Sequence, residues 1–234
     1  MTVQETLTQN LKHITAEVCA ACTRAGRQVE EVQLVAVTKY AEWSWVQELS
    51  QQHQVFGENR PQQLAERQAL LPDVEWHLIG QLQRNKVRLA LQHATVIHSV
   101  DSLRLLERIA EVAFDLKIRP RVLLQLNISE EPSKSGFSPE ELRSAWPQVL
   151  GLSDRIQLSG LMTMAAESED PEDARPCFIA LRKFCDELRM RDDSQAAGVL
   201  LPDLSMGMSG DFVPAIEEGA TLIRIGSRLF EGLT

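Results

Sequence analysis

Eight short runs rich in branched and aromatic residues, separated by helical patterns, constrain the fold of this chain more than any other feature. They are Val32–Lys39, Val55–Glu58, Glu75–Gly80, Val96–Val100, Arg121–Ile128, Ile156–Thr163, Asp203–Gly207 and Thr221–Gly226. Between them lie stretches such as Asp101-Ser-Leu-Arg-Leu-Leu-Glu-Arg-Ile-Ala-Glu, with apolar residues at helical spacing. Another amphipathic helix, roughly over 4–25, precedes the first run and stops at Gly26. Strict alternation implies a parallel sheet covered by helices. Eight such units within 234 residues suit an α/β fold, a single (β/α)₈ TIM barrel with an extra N-terminal helix. An open doubly wound sheet competes, but no GxGxxG follows a strand. No linker or internal repeat divides residues 1–234, so one domain is expected, with Met190–Pro202 as a surface loop.

The ends of the runs favour the barrel. Polar residues recur there: Lys39, Glu58 with Asn59, His77, Asn127, Thr163, Ser205 and Arg224. A barrel gathers all its strand ends at one mouth, whereas an open sheet gathers only those at its switch point.

Charge narrows the partners. The chain carries 24 basic and 33 acidic residues, a formal −9. General nucleic-acid or anionic-membrane binding needs a positive face, so neither is expected. No apolar run approaches the roughly 20 residues that span a bilayer. The opening Met1–Asn10 is polar and lacks a signal-peptide core, so a cytoplasmic location is expected. Cys19 and Cys22 form a CxxC inside the first helix, with no preceding strand, and Cys177 and Cys185 are not spaced as a second pair. These read as structural, buried or semi-buried thiols without disulfides.

Three features carry candidate chemistry. Lys39 closes the first strand; alternation puts it on the side of Val35 and Val37. It reads either as a solvated strand-end lysine or as a part-desolvated amine nucleophile at a barrel mouth. Leu204-Ser-Met-Gly-Met-Ser-Gly-Asp211 follows the seventh strand, and Gly226-Ser227 closes the eighth. Barrels commonly hold a phosphate on these two loops, although Ser209 or Asp211 also reads as a simple helix cap. Arg224 lies in the otherwise apolar Leu222–Gly226, where a guanidinium requires partners. It is either a structural ion-pair member or the group beneath a ring attached to that phosphate.

Taken together, Val-Ala-Val-Thr-Lys39, Phe56-Gly-Glu-Asn59, Trp76-His-Leu-Ile-Gly-Gln-Leu-Gln-Arg-Asn-Lys86, Lys134-Ser-Gly136, Gly160-Leu-Met162, Ser205-Met-Gly-Met-Ser209 and Arg224-Ile-Gly226 resemble the pyridoxal phosphate homeostasis protein family. The resemblance runs from about residue 5 to the C-terminus. It implies the barrel of the alanine racemase N-terminal domain, with pyridoxal 5′-phosphate (PLP) bound as an internal aldimine on Lys39. It also implies that Ser209, Gly226 and Ser227 hold the phosphate, that Arg224 faces the pyridine nitrogen, and that Asn59, His77, Met162 and Met206 line the pocket. Arg60 departs from the pattern, where many relatives have Tyr, and touches only local packing.

The resemblance leads to a role in vitamin B6 and amino-acid homeostasis without robust catalysis, with amino acids and apo-PLP enzymes as further partners. A PLP-dependent amino-acid racemase is the alternative, and the residues taken apart from the resemblance also suit a barrel enzyme acting on a small phosphorylated substrate. A two-base racemase needs an acid/base group on each face of the ring. The sequence stops at Thr234, soon after the eighth strand, and its one tyrosine, Tyr40, adjoins Lys39. No second domain is therefore expected to supply the opposite base, and a monomer is expected. His77 is the remaining candidate base. Arginine at the ring nitrogen disfavours the protonated pyridinium that serves as an electron sink.

Overall fold

The computed structural model describes residues 1–128 and 135–233; Lys134 of the Lys-Ser-Gly motif and the terminal Thr234 lie outside the described residues. Eight parallel strands follow one another around a closed barrel, and the last pairs back onto the first. In chain order the elements begin with α1 (Val3–Ala25), β1 (Gln33–Val37), α2 (Trp43–Ser50) and β2 (Val55–Glu58). Next come α3 (Pro61–Leu70), β3 (Glu75–Leu78), α4 (Val87–His93) and β4 (Val96–Val100). They continue with α5 (Leu103–Leu116), β5 (Arg121–Gln125), α6 (Pro139–Leu150) and β6 (Gln157–Met162). The chain closes with α7 (Arg175–Met190), α8 (Asp192–Ala196), β7 (Asp203–Ser205), α9 (Phe212–Glu217) and β8 (Leu222–Ile225).

Local chemistry accounts for the extra helix. Thr2 and Glu5 form a reciprocal capping box at the start of α1, and Gly26 ends it in the left-handed conformation, φ 66°. Its buried stripe, Leu7, Ile14, Val18, Ala21 and Cys22, faces the barrel side, where α1 packs on α2 and α9.

The core has two parts. A large cluster joins the outward faces of the strands to the helices. A smaller one, Val35, Val55, Val96, Leu123, Met162 and Leu222, draws on six strands and no helix. It fills the barrel's interior, as side-chain layers do in such barrels.

Two expectations need correction. The segment 190–202 is not a plain surface loop, because it contains α8. Ser194 in that helix is fully buried, and its hydroxyl accepts from the Trp146 indole Nε1 at 2.8 Å. A buried indole N–H requires such a partner, and the helix supplies it. The CxxC is split: Cys22 is buried but Cys19 is exposed. Among the described residues no helix is long and apolar enough to cross a membrane.

Candidate functional site

The loops that follow β7 and β8 meet. Ser209 Oγ accepts from the Gly226 backbone N–H at 3.2 Å, with Ser227 exposed beside them. The turn before α9 is closed by Asp211, whose Oδ1 accepts from Met208 N at 2.5 Å. Burial pushes the Asp211 carboxyl above its usual range, against that bond and the nearby Arg224 charge. Because α9 has only six residues, an anion here would rely on loop N–H groups and hydroxyls more than on a helix dipole. A side chain at Gly226 would come within 3.3 Å of Val37, so the end of β8 lies close against β1.

Arg224 sits one layer deeper and is 4% exposed. Its Nη1 donates to Ser205 Oγ at 2.7 Å and its Nη2 to the Thr163 carbonyl at 3.0 Å. Those bonds use two of the five N–H groups of a guanidinium. Burial lowers its pKa to about 10, opposed by the Asp211 carboxylate.

Below it a polar chain crosses the barrel's interior. Ser205 Oγ lies 2.8 Å from His98 Nδ1, His98 Nε2 lies 2.9 Å from His77 Nδ1, and His77 Nε2 lies 2.9 Å from Glu75 Oε1. β4 and β7 stand three strands apart in the barrel order, so the His98–Ser205 bond spans the lumen. At the start of β3, Glu75 approaches Arg121, which also bonds Asp203. The His77 hydrogen bond holds the Glu75 carboxyl below its usual range despite burial. Burial, reinforced by the positive charges of Arg224 and Arg121, drives His98 well below an ordinary imidazole.

His77 is fully buried with both ring nitrogens engaged, so it belongs to the barrel interior and not to the mouth. Sequence reasoning missed His98 and Glu75. The signal was there: alternation puts Glu75 and His77 on one face of β3, and Val96 and His98 on one face of β4.

Lys39 lies two residues beyond β1, and both Lys39 and Tyr40 are exposed. Its Nζ sits 4.9 Å from the centre of the Tyr40 ring, so the apolar enclosure expected for a part-desolvated amine is not present. The β1–β8 register pairs Val35 with Arg224 and Ala36 with Ile225, which sets Lys39 beside the Gly226–Ser227 loop. Arg67 of α3 pins the Lys39 loop from behind, donating to the Thr38 carbonyl at 2.7 Å and the Ala41 carbonyl at 2.9 Å. Arg67 also bonds Glu58 Oε1 at 2.6 Å, and the Thr38 hydroxyl donates to the same oxygen. Glu58 therefore faces α3 in the helix layer, not the mouth where its strand-end position suggested. Burial raises its carboxyl above the usual range, and its second oxygen has no hydrogen-bond partner among the described residues.

Of the other expected pocket residues, Asn59 is half-buried just past β2, with its carbonyl so near Gly80 that a side chain there would clash. Met162 is in the inner cluster. Met206 is not: it packs in the large cluster, because Ser205 takes the lumen side of β7 and the next residue points to the helices.

A closed (β/α)₈ barrel whose β7 and β8 loops are joined above a buried strand arginine defines a class of barrel proteins with polar groups gathered at one mouth. The family model "Alanine racemase, N-terminal domain" matches residues 9–233. The pyridoxal phosphate homeostasis protein of Aquifex aeolicus is 39% identical over 225 residues, covering 95% of this chain and 96% of its own. The solved structure of PipY from Synechococcus elongatus PCC7942 with PLP bound is 38% identical, with a TM-score of 0.77, over 92% of this chain and 99% of that one. An alanine racemase of Clostridium difficile shares the fold at 16% identity and a TM-score of 0.74, matching 97% of this chain to 56% of its own. The chain belongs to the pyridoxal phosphate homeostasis protein family, built on the alanine racemase N-terminal barrel.

Proposed function

We propose that this chain binds pyridoxal 5′-phosphate at the barrel mouth, as an internal aldimine on Lys39, and acts in vitamin B6 and amino-acid homeostasis rather than in a fast reaction. The observation that carries this reading is the juxtaposition of Ser209 with Gly226 above Arg224, beside the loop that bears Lys39. The donor set fits the group. Hydroxyls and backbone N–H groups of 209, 226 and 227 suit a phosphate, the guanidinium suits an acceptor ring nitrogen, and the Lys39 amine suits an aldehyde. When bound, the cofactor supplies a carbonyl that condenses reversibly with amines and a ring that withdraws electrons. The relative with PLP bound and the relatives named for PLP homeostasis lend support.

Binding is favoured over racemase turnover by two residues. His77, the candidate second base, has both nitrogens committed inside the barrel. Tyr40 adjoins Lys39 and extends into solvent, 88% exposed. Asn59, Met162 and Ser227 would complete the lining. The reading includes a monomeric cytoplasmic protein, with amino acids and apo-PLP enzymes as its exchange partners. The test is the visible spectrum of the purified protein mixed with PLP. A yellow band abolished by borohydride supports the reading, and its absence at saturating PLP rejects it.

A further inference from the structure

The chain Glu75–His77–His98–Ser205–Arg224 is fully satisfied in only one direction. Glu75 carries a carboxylate, which can only accept, so His77 Nε2 carries a hydrogen. Arg224 can only donate, so Ser205 Oγ accepts from it. With no further proton, the Ser205 hydroxyl donates to His98 Nδ1, His98 Nε2–H donates to His77 Nδ1, and His77 Nε2–H donates to Glu75. Each of the four contacts then pairs one donor with one acceptor, and both imidazoles and the Ser205 hydroxyl are fully matched. An extra proton on either histidine changes this. His98 Nδ1–H would point at Ser205, whose oxygen would accept twice while its own hydrogen finds no acceptor among the described residues. A buried hydroxyl so stranded is costly.

We propose that Glu75, His77, His98 and Ser205 are positioning residues that act as a one-way hydrogen-bond relay, anchoring Arg224 as a donor toward the mouth and making the site select ligands whose deeply inserted ring nitrogen is an unprotonated acceptor. The selectivity rests on the proposed approach of a ligand ring to Arg224, whereas the relay itself does not. The charged neighbours are consistent with this polarity. Arg121 and Asp203 flank the Glu75 end, and Asp211 faces the Arg224 end. Asp211 also helps to retain the positive charge on the guanidinium. Anchoring at both Ser205 and the Thr163 carbonyl leaves the guanidinium plane little freedom to turn.

The test is nitrogen NMR of the full chain with ¹⁵N-labelled histidine and arginine, first without any ligand. Both His77 and His98 are expected as the Nε2–H form with bare Nδ1, and Arg224 is expected to show separate, slowly rotating Nη–H signals. A hydrogen on Nδ1 of either histidine overturns the relay. In Glu75→Gln the floor residue can donate as well as accept, so a second population with Nδ1–H should appear and the Arg224 signals should broaden. Unchanged Arg224 signals in that variant reject the positioning role. Should Glu75→Gln fail to fold, Ser205→Ala decides: it removes one anchor, merges the Arg224 signals and weakens pyridoxal phosphate roughly tenfold, and unaltered Arg224 signals again reject the role. Failure of the unsubstituted protein to bind pyridoxal phosphate would sink the functional reading alone, because the ligand-free spectra still decide the relay.

Discussion

The Ser209 hydroxyl accepts a hydrogen bond from the Gly226 backbone N–H at 3.2 Å, tying the loop after β7 to the loop after β8. Two segments 17 residues apart in sequence thus form one polar cradle. Its geometry owes little to either helix terminus. It arises because a closed barrel makes β7 and β8 neighbours and turns their ends the same way.

Phosphate affinity should therefore depend on hydroxyls and backbone together. Losing one hydroxyl that bonds a charged phosphate costs about 1.5–3 kcal/mol, or roughly tenfold to a hundredfold in affinity. Ser209→Ala and Ser227→Ala should each weaken pyridoxal phosphate by that amount without abolishing binding, since the loop N–H groups remain. Fluorescence titration of the double variant is the check. An unchanged dissociation constant there would move the phosphate elsewhere.

Arg224 should govern the electronics of the bound ring. Arg224→Glu replaces a donor with an acceptor and favours a protonated ring nitrogen. The folded variant should still couple to Lys39, with a shifted absorption band and faster transamination on addition of amino acids. Its stability should fall, since a carboxylate among apolar strands is costly unless paired. Stopped-flow spectra showing the same band and the same reactivity would assign Arg224 a purely structural role.

The Arg67–Glu58 pair should matter to stability and to Lys39 alike. Arg67→Met strands a fully buried Glu58 beside Thr38, which should cost about 3–5 kcal/mol if the carboxylate stays charged. Adding Glu58→Gln should recover part of that loss in urea unfolding. The same single variant frees the carbonyls of Thr38 and Ala41, so coupling at Lys39 should slow. Equal stability in the single and double variants would show that Glu58 is not stranded.

Acid should destabilise the fold through His98 before the ordinary carboxylates titrate, opposed by Glu58 and Asp211, whose raised carboxyls take up protons more readily in the fold than in the unfolded chain. Folded His98 binds its proton far less readily than the ordinary value of 6.5, chiefly through burial. Below that pH the unfolded chain takes up a proton that the native barrel refuses, so stability falls as pH falls, by up to about 1.4 kcal/mol per unit. Burial shifts His53 in the same direction. Glu75 acts lower: its folded value is depressed, so its contribution is present above about 4.5 and is lost as pH drops through the folded value. Urea unfolding at pH 7, 6 and 5 should show the slope, and His98→Asn should be shallower by one proton. Parallel slopes would contradict the burial of a neutral His98.

Alternation of strand and helix patterns was enough to read the barrel, because a parallel sheet buried on both faces writes each strand as a compact β-rich run. The mouth was read from residues that follow those runs, and Ser209, Gly226 and Arg224 do come together. What the sequence concealed is facing. Glu58 ends its strand and Met206 follows its own, much as Asn59 follows β2, yet both turn to the helix layer. Only the lumen parity of each strand separates them, and it is set by neighbours such as Ser205 that are distant in sequence from their partners. The relay was concealed for the same reason: His98 and Ser205 are 107 residues apart and meet across the lumen.

The measurement that bears most directly on the account is borohydride reduction of the protein with pyridoxal phosphate, followed by peptide mapping. The adduct is expected on Lys39, and Lys39→Ala should lose it while keeping the fold and some non-covalent cofactor, since the residue is exposed beyond β1 rather than packed in the core. A reduced adduct with another lysine as its primary site, or none at all at saturating pyridoxal phosphate, would contradict it.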